Sequence, residues 1–328
     1  MATTTTSARN LSKFCQMPIS RHLAPRLPFG FSQRLVALLG RLYYWRHPQE
    51  RALICEAVNR VLARPSPLRR NFYRRVFDGI YEHYQEKLFL AYAPETRVKH
   101  FLGSRLVIRG GEALESALAT GLGVILVTGH FGAVEFLPAA LGLQGYPAAV
   151  IVRPQTPELA ASMTRRAALV NLTVIIPEQG KVLPAALRAL REGRVLITEM
   201  DEFEMWRHHQ EHPVDFLGFS LPGDRTLDVL QKRSGAPVLT GLVHRQPHRR
   251  YALNIGAEIT RQNPASVGQQ CLRRLEQAIW STPEQWYQWK EFGKVLATLP
   301  VRELPASVPQ GTAAQPPLAP LAHVWGWN

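Results

Sequence analysis

Hydrophobic and polar positions change their period once along this chain. From about residue 31 to 101 the apolar residues recur at helical spacing, in VALLGRLYYW, RALICEAVNRVLA and LRRNFYRRVFDGIYEHYQEKLFLAY, with Pro48, Pro65 and Pro67 as breaks. In the third segment Phe72, Val76, Ile80, Tyr84 and Leu88 repeat every four residues and make one apolar stripe. Arg69, Arg70, Arg74 and Arg75 fall mostly off it, which suits either a solvated basic face or a patch meeting anionic headgroups.

From residue 105 onward short apolar runs alternate with helical patterns. LVIRG, GVILVTG, PAAVIVR (147–153), LTVIIPE (172–178) and RVLITEMD (194–201) read as strands, and GEALESALATG, FGAVEFLPAAL, PELAASMTRRAAL and KVLPAALRALREG as the helices between them. After a polar loop come VDFLG (214–218), a helix near DRTLDVLQKRSG, two strands in APVLTGLVHR and RYALNIGAEI, and a helix from Pro264 to about Ile279. The expected fold is α/β, a largely parallel central sheet with helices on both faces, preceded by an α-helical N-terminal region. Residues 1–27 are expected to be a disordered basic leader, 28–104 a helical membrane-associating region, 105–300 the α/β domain, and 301–328 a disordered Pro/Ala-rich tail.

Charge sharpens this. The net charge is +14 over 328 residues, and residues 1–100 hold 17 Lys and Arg against 6 Asp and Glu. Such asymmetry points to an anionic partner, although an Arg-rich soluble surface would give the same count. Cys15, Cys55 and Cys271 lie far apart with no C-x-x-C, which argues for a reducing compartment and against a disulfide or structural zinc framework. The Ser/Thr/Arg-rich N-terminus has the composition of a transit peptide as well as of a disordered leader, and the leader is preferred. The uncharged run 136–152 is interrupted by Pro138, Gly142, Gly145 and Pro147, and residues 28–45 carry Arg34 and Arg41. The first suits a helix, a turn and a strand, the second an interfacial amphipathic helix, so no transmembrane span is expected.

Chemistry concentrates in GLGVILVTGHFGAVE (121–135). An apolar run bounded by glycine is the signature of a strand buried on both faces, and ligands gather where such strands end. His130 and Glu135 stand there in an otherwise uncharged segment. On an ideal helix they would be about 140° apart. They can meet only if His130 lies in the strand-to-helix turn, where the imidazole would take a proton from a hydroxyl and the carboxylate would fix its tautomer. From spacing alone, a hydrogen-bonded core histidine beside an unrelated helical Glu fits better.

GHFGAVE resembles the H-x-x-x-x-[DE] signature of the lysophospholipid acyltransferase superfamily, and within it the late acyltransferases of lipid A biosynthesis. Arg153-Pro154, EGRVLITEMD ending in Asp201, VDFLG, RSGAPVL and PEQWYQWKEF (283–292) are similar to further segments of that family, in the same order, over about 105–295. The resemblance implies transfer of a fatty acyl group from an acyl carrier protein or acyl-CoA thioester to a hydroxyl of a lipid acceptor, on the cytoplasmic face of the inner membrane, with no cofactor and no metal. His130 would be the general base and Glu135 its partner. Arg153, Asp201, Phe131 and Gly132 would bind substrate, Arg153 at an acceptor phosphate or the tetrahedral oxyanion. No G-x-S-x-G elbow offers a nucleophile for an acyl-enzyme. The chain departs from the family in lacking a transmembrane N-terminal helix, in carrying Phe203 where a second Asp is usual, and in reading Trp289-Lys290-Glu291-Phe292 where His and Arg are common. These departures touch the acceptor rather than the acyl chemistry.

Two rivals stay open: a hydrolase on the same scaffold that activates water, and a non-catalytic basic membrane-binding protein. His208, His209 and His212 with Glu211 have no companion ligand at a standard spacing and read as a solvated loop. Trp280, Trp286 and Trp289 fit packing across the sheet better than an interfacial belt. No nucleic-acid module signature is present, so no nucleic acid is expected as partner.

Overall fold

The computed structural model describes residues 11, 14, 22, 26–62, 70–154, 156–260 and 265–299. The expected tail, and nearly all of the expected leader, lie outside them. Within the leader Leu11 is buried in the core, and the ring of Phe14 lies 5.6 Å from that of Tyr43.

Seven strands form one mixed sheet in the order β1-β9-β8-β2-β5-β3-β4. They are β1 (Leu106–Arg109), β2 (Val124–Thr128), β3 (Ala148–Ile151), β4 (Leu172–Ile175), β5 (Val195–Glu199), β8 (Val238–Gln246) and β9 (Arg250–Ile255). Every pairing is parallel except β8 with β9. β2 lies between β8 and β5 and is buried along its whole length, which is why it reads as an unbroken apolar run. Its residues alternate between two cores: Val124 and Leu126 face one, Ile125 and Val127 the other.

Among the described residues four helices precede β1: α1 (Phe29–Arg46), α2 (Pro48–Leu62), α3 (Arg70–Tyr92) and α4 (Glu95–Arg105). The core around Val124 is filled by α4, by α5 (Gly111–Leu118) and by α6 (Phe136–Leu143). The opposite core takes residues of α1, α2, α3, α8 (Val182–Arg191), α9 (Thr226–Ser234), α10 (Val267–Ser281) and α11 (Trp289–Thr298). The remaining helix, α7 (Pro157–Ala168), starts with a Thr156 hydroxyl cap on the Leu159 N–H, with Pro157 at the first helical position.

The structure changes two expectations. FGAVEFLPAAL was read as helical from its first residue, but α6 begins only at Phe136. The backbone of 131–133 is committed elsewhere: Phe131 bridges to Trp286, the Gly132 N–H donates to Gln285 O at 2.8 Å, and the Ala133 N–H to Val243 O at 2.9 Å. Gly132 also stands at φ 57°, outside the right-handed helical region, so no helical turn runs through it. The second part of the expected polar loop before VDFLG is strand. β6 (His209–Phe216) and β7 (Phe219–Gly223) form a separate hairpin around Leu217-Gly218, both at positive φ (52° and 83°), as a two-residue primed turn requires.

Helix α3 is tied to β8 by a buried ion pair. Arg245 Nε and Nη2 donate to Glu86 Oε1 and Oε2 at 2.9 and 2.8 Å, and Glu86 is 1% exposed. Burial pushes the Glu86 carboxyl up to about 7 against the opposing pull of Arg245. Arg245→Met would leave that carboxyl buried without its guanidinium. The expected loss is about 3–5 kcal/mol of unfolding free energy in urea titrations.

Candidate active site

Parallel neighbours β2 and β5 pair Thr128 with Glu199, and both chains run on beyond the sheet edge. Two residues further along each, His130 stands beside Asp201. The Asp201 carboxylate is fully buried and grips His130 twice. Its oxygens accept the His130 backbone N–H at 3.1 and 3.0 Å, and Oδ1 lies 2.9 Å from Nδ1 of the ring. Trp286 Nε1 donates to Oδ2 at 2.8 Å. With Nδ1–H held by a carboxylate, the lone pair of the neutral ring sits on Nε2.

Nε2 faces two more acids, Glu202 Oε1 at 3.2 Å and Glu199 Oε2 at 3.4 Å. Burial opposes a charge on the His130 ring, but Glu199, Asp201 and the hydrogen bonds from Asp201 and Glu202 outweigh it and hold the imidazole well above its ordinary value. Burial drives Glu199 up to about 7, against the pull of the His130 charge. Glu202 is lowered, because its hydrogen bond and charge interaction with His130 overcome its own burial.

His130 and Glu135 share one cleft of about 680 Å³, but not a hydrogen bond among the described contacts. Glu135, just before α6, lies 3.4 Å from Lys87 Nζ and 3.8 Å from His83 Nε2, both on α3. The His83 ring stacks on Tyr287 with centroids 3.6 Å apart, and the Tyr287 ring stands edge-on to His130 at 5.2 Å. Burial, reinforced by the charges of Lys87, His130 and Arg245, holds His83 well below its ordinary value. An apolar cavity of about 130 Å³ adjoins the cleft, lined by Leu90, Val98, Val134, Pro138, Leu143 and Met163, with Lys87, Glu135 and Glu199 at the shared wall.

Of the residues expected to touch substrate, only Arg153 lines the cleft. It is exposed, 3.6 Å from Glu178 Oε1 and 3.1 Å from the Met205 sulfur. Phe131, Gly132 and Asp201 present no surface to it. Phe131 is fully buried with its ring 5.0 Å from that of His244. A Cβ on Gly132 (φ +57°) would lie 1.8 Å from Val243 O, so this position lets the turn press against β8. These three build the His130 turn rather than the substrate wall. Sequence reasoning missed Glu199, Glu202, His83 and Lys87. The acidic run in ITEMDE was a signal for the first two, since it ends a strand as TGH does. His83 and Lys87 are one helical turn apart and carry no motif.

The histidine loop does not converge. His209 opens β6 on an exposed edge, and His212 Nε2 lies 3.2 Å from Arg225. Trp286 and Trp289 are fully buried, whereas Trp280 is half exposed.

The end of a buried parallel strand thus brings an imidazole, the buried carboxylate that holds it and an adjoining apolar cavity to one cleft. The chain belongs to the bacterial lipid A biosynthesis acyltransferase family, whose profile matches residues 26–291, and it is therefore an acyltransferase. No curated protein matches it.

The ring of His130 should titrate with a midpoint above 6.5, followed by NMR of its carbon-bound protons. Glu202→Gln or Glu199→Gln removes a negative neighbour of the imidazolium, so the midpoint should fall in each.

Proposed function

We propose that the protein transfers a fatty acyl group from a thioester, carried by acyl carrier protein or coenzyme A, to a hydroxyl of a lipid acceptor. The observation that carries this reading is the His130 ring, fixed at Nδ1 by buried Asp201 with Nε2 turned to a cleft that adjoins an apolar cavity. Nε2 takes the acceptor's proton, in the place Glu202 holds in the resting site. The alkoxide oxygen attacks the thioester carbonyl and forms a tetrahedral oxyanion. Collapse breaks the C–S bond, and the imidazolium returns the proton to the departing thiolate. Asp201 stabilises the imidazolium in the manner of a triad carboxylate.

Glu135 keeps a part in this proposal as the second carboxylate. Together with Lys87 it lies on the wall common to cleft and cavity, where the carbonyl joins its chain. Arg153, at the cleft mouth, is the proposed ligand of an acceptor phosphate or of the oxyanion. The apolar cavity takes part of the acyl chain. No metal or cofactor enters the chemistry.

His130→Ala should abolish transfer, and Asp201→Asn should lower kcat by about 10²–10⁴-fold, since the ring loses its tautomer and its counter-charge. Glu135→Gln should lower kcat as well. Lipid mass spectrometry on purified protein, thioester and acceptor extracts checks each. Full transfer by His130→Ala, or free fatty acid in place of acylated lipid, would overturn the reading.

No described helix is long and apolar enough to cross a membrane. α1 nevertheless exposes Phe31, Leu38, Leu42 and Trp45 along one side, with Arg34 over the Phe31 ring and Arg41 nearby. That combination favours the surface of an anionic bilayer, which we propose to be the cytoplasmic face of the inner membrane. A Leu38→Glu, Trp45→Glu double variant should lose most of its sedimentation with anionic vesicles while keeping the wild-type melting temperature.

A further inference from the structure

We propose that His130, Glu199 and Glu202 also form a binding site for a zinc-type divalent cation, and that an ion there switches off the base. Nε2 of His130 lies 3.2 Å from Glu202 Oε1 and 3.4 Å from Glu199 Oε2, and the three ligand atoms all lie within 4.8 Å of one another. Zinc bonds of about 2.0–2.2 Å to nitrogen and oxygen, set at tetrahedral angles, place neighbouring ligand atoms about 3.3–3.6 Å apart. Two edges of that tetrahedron are thus already close to their final length. Only the Glu199–Glu202 edge has to adjust, and both side chains are partly exposed to the cleft.

The surroundings fit the same occupant. A metal-ligating imidazole ordinarily gives its other N–H to a carboxylate, and Asp201 accepts from Nδ1 at 2.9 Å. Asp201 itself is locked by Trp286 and by the backbone of His130, so the ring cannot turn away. Glu199, Asp201 and Glu202 bring three carboxylates around one ring. Among the described ion pairs no lysine or arginine lies on any of the three. The fourth corner of the tetrahedron opens on the cleft, as in a site with three protein ligands and one exchangeable position. One imidazole among carboxylates selects zinc or a similar borderline ion over magnesium and calcium, which favour all-oxygen shells.

The site holds the lone pair that proton abstraction needs. A metal on Nε2 consumes it, so bound ion and acceptor hydroxyl exclude each other. This second half rests on the acyl-transfer reading, whereas the binding half does not.

Full-length protein freed of metal by chelator and dialysis is titrated with Zn²⁺ by calorimetry and with Co²⁺ by visible absorption. One ion per chain is expected, with the strong absorption of tetrahedral cobalt. Glu199→Gln and Glu202→Gln should each weaken binding at least about 10-fold, and Asp201→Asn by about 10–100-fold. Melting curves taken without metal verify that each variant folds, and zinc should raise the melting temperature of the wild type more than that of any variant. Absence of saturable binding, or wild-type affinity in both Gln variants, overturns the site. Binding lost instead in a His208→Ala, His209→Ala, His212→Ala variant assigns the ion to the exposed strand edge and overturns it too. Zinc should also stop acyl transfer, with chelator restoring it. Transfer undiminished in zinc-loaded protein overturns the inhibitory half. Absence of transfer in the metal-free protein counts against the acyltransferase reading and leaves the site standing.

Discussion

One buried carboxylate sets the architecture around the His130 ring. Asp201 is out of reach of solvent and has no lysine or arginine against it among the described ion pairs, a costly position for a charge. The cost is offset by donors: a backbone N–H bonding both oxygens, an imidazole and an indole N–H. Each donor comes from a different stretch of chain or a different kind of group, so the carboxylate fixes their relative positions. The aromatic nest follows from it. Trp286 must lie under the sheet edge to reach Oδ2, and Phe203, Phe216, Trp289 and Phe292 pack around its ring within 6.4 Å, centroid to centroid. The segment that begins at Pro283 is therefore part of what holds the His130 ring in place, although it is distant in sequence from the histidine.

The charge distribution is inverted between surface and centre. The chain carries +14 overall, yet the ring of its proposed base is surrounded by acids. Lysines and arginines stand further out, at the shared wall (Lys87) and the mouth (Arg153, Lys290, Lys294). A neutral group such as a hydroxyl approaches the ring at little electrostatic cost, whereas a phosphate would meet three carboxylates. In the proposed reaction this sorts the acceptor by function, with its hydroxyl at Nε2 and any anionic groups at the rim. The same field that favours the imidazolium in the product-like half of the reaction keeps the resting base protonated at low pH, so capacity to accept a proton grows as pH rises.

Most of the fold was legible because parallel strands between helices leave strong marks. A strand buried on both faces must be apolar throughout, and Val124–Val127 could hardly be anything else. The His130 region was legible for the same reason, since a polar cluster at the end of such a strand has few structural uses. What escaped the sequence was pairing across the sheet. Nothing local says that β5 lies beside β2, in the register Thr128–Glu199, and only that register turns Asp201 from a residue 71 positions away into the partner of Nδ1. The hairpin was obscured by the exposed polar residues that open β6, which look like loop because neither face of that stretch covers anything. His83 and Lys87 were hidden by belonging to a helix whose apolar stripe is read first.

The late start of α6 changes what the spacing from His130 to Glu135 means. Counted along a helix, five residues put the two side chains on different faces, and a direct pair would need a distorted first turn. The intervening backbone is instead bridged and then turned: Phe131 lies against Trp286, and Gly132, at positive φ, against Val243 with no room for a side chain. Those bridges carry the chain away from the imidazole and deliver Glu135 to the start of α6, opposite Lys87 and His83 of α3. A carboxylate at that place is favoured by the helix N-terminus and neutralised by the lysine. It belongs to the wall between polar cleft and apolar cavity, where in the proposed reaction an acyl group would bend from one environment into the other. The two carboxylates of the motif region thus divide by position. One lies beneath the ring and governs its proton, while the other stands at the passage through which the chain to be transferred would enter.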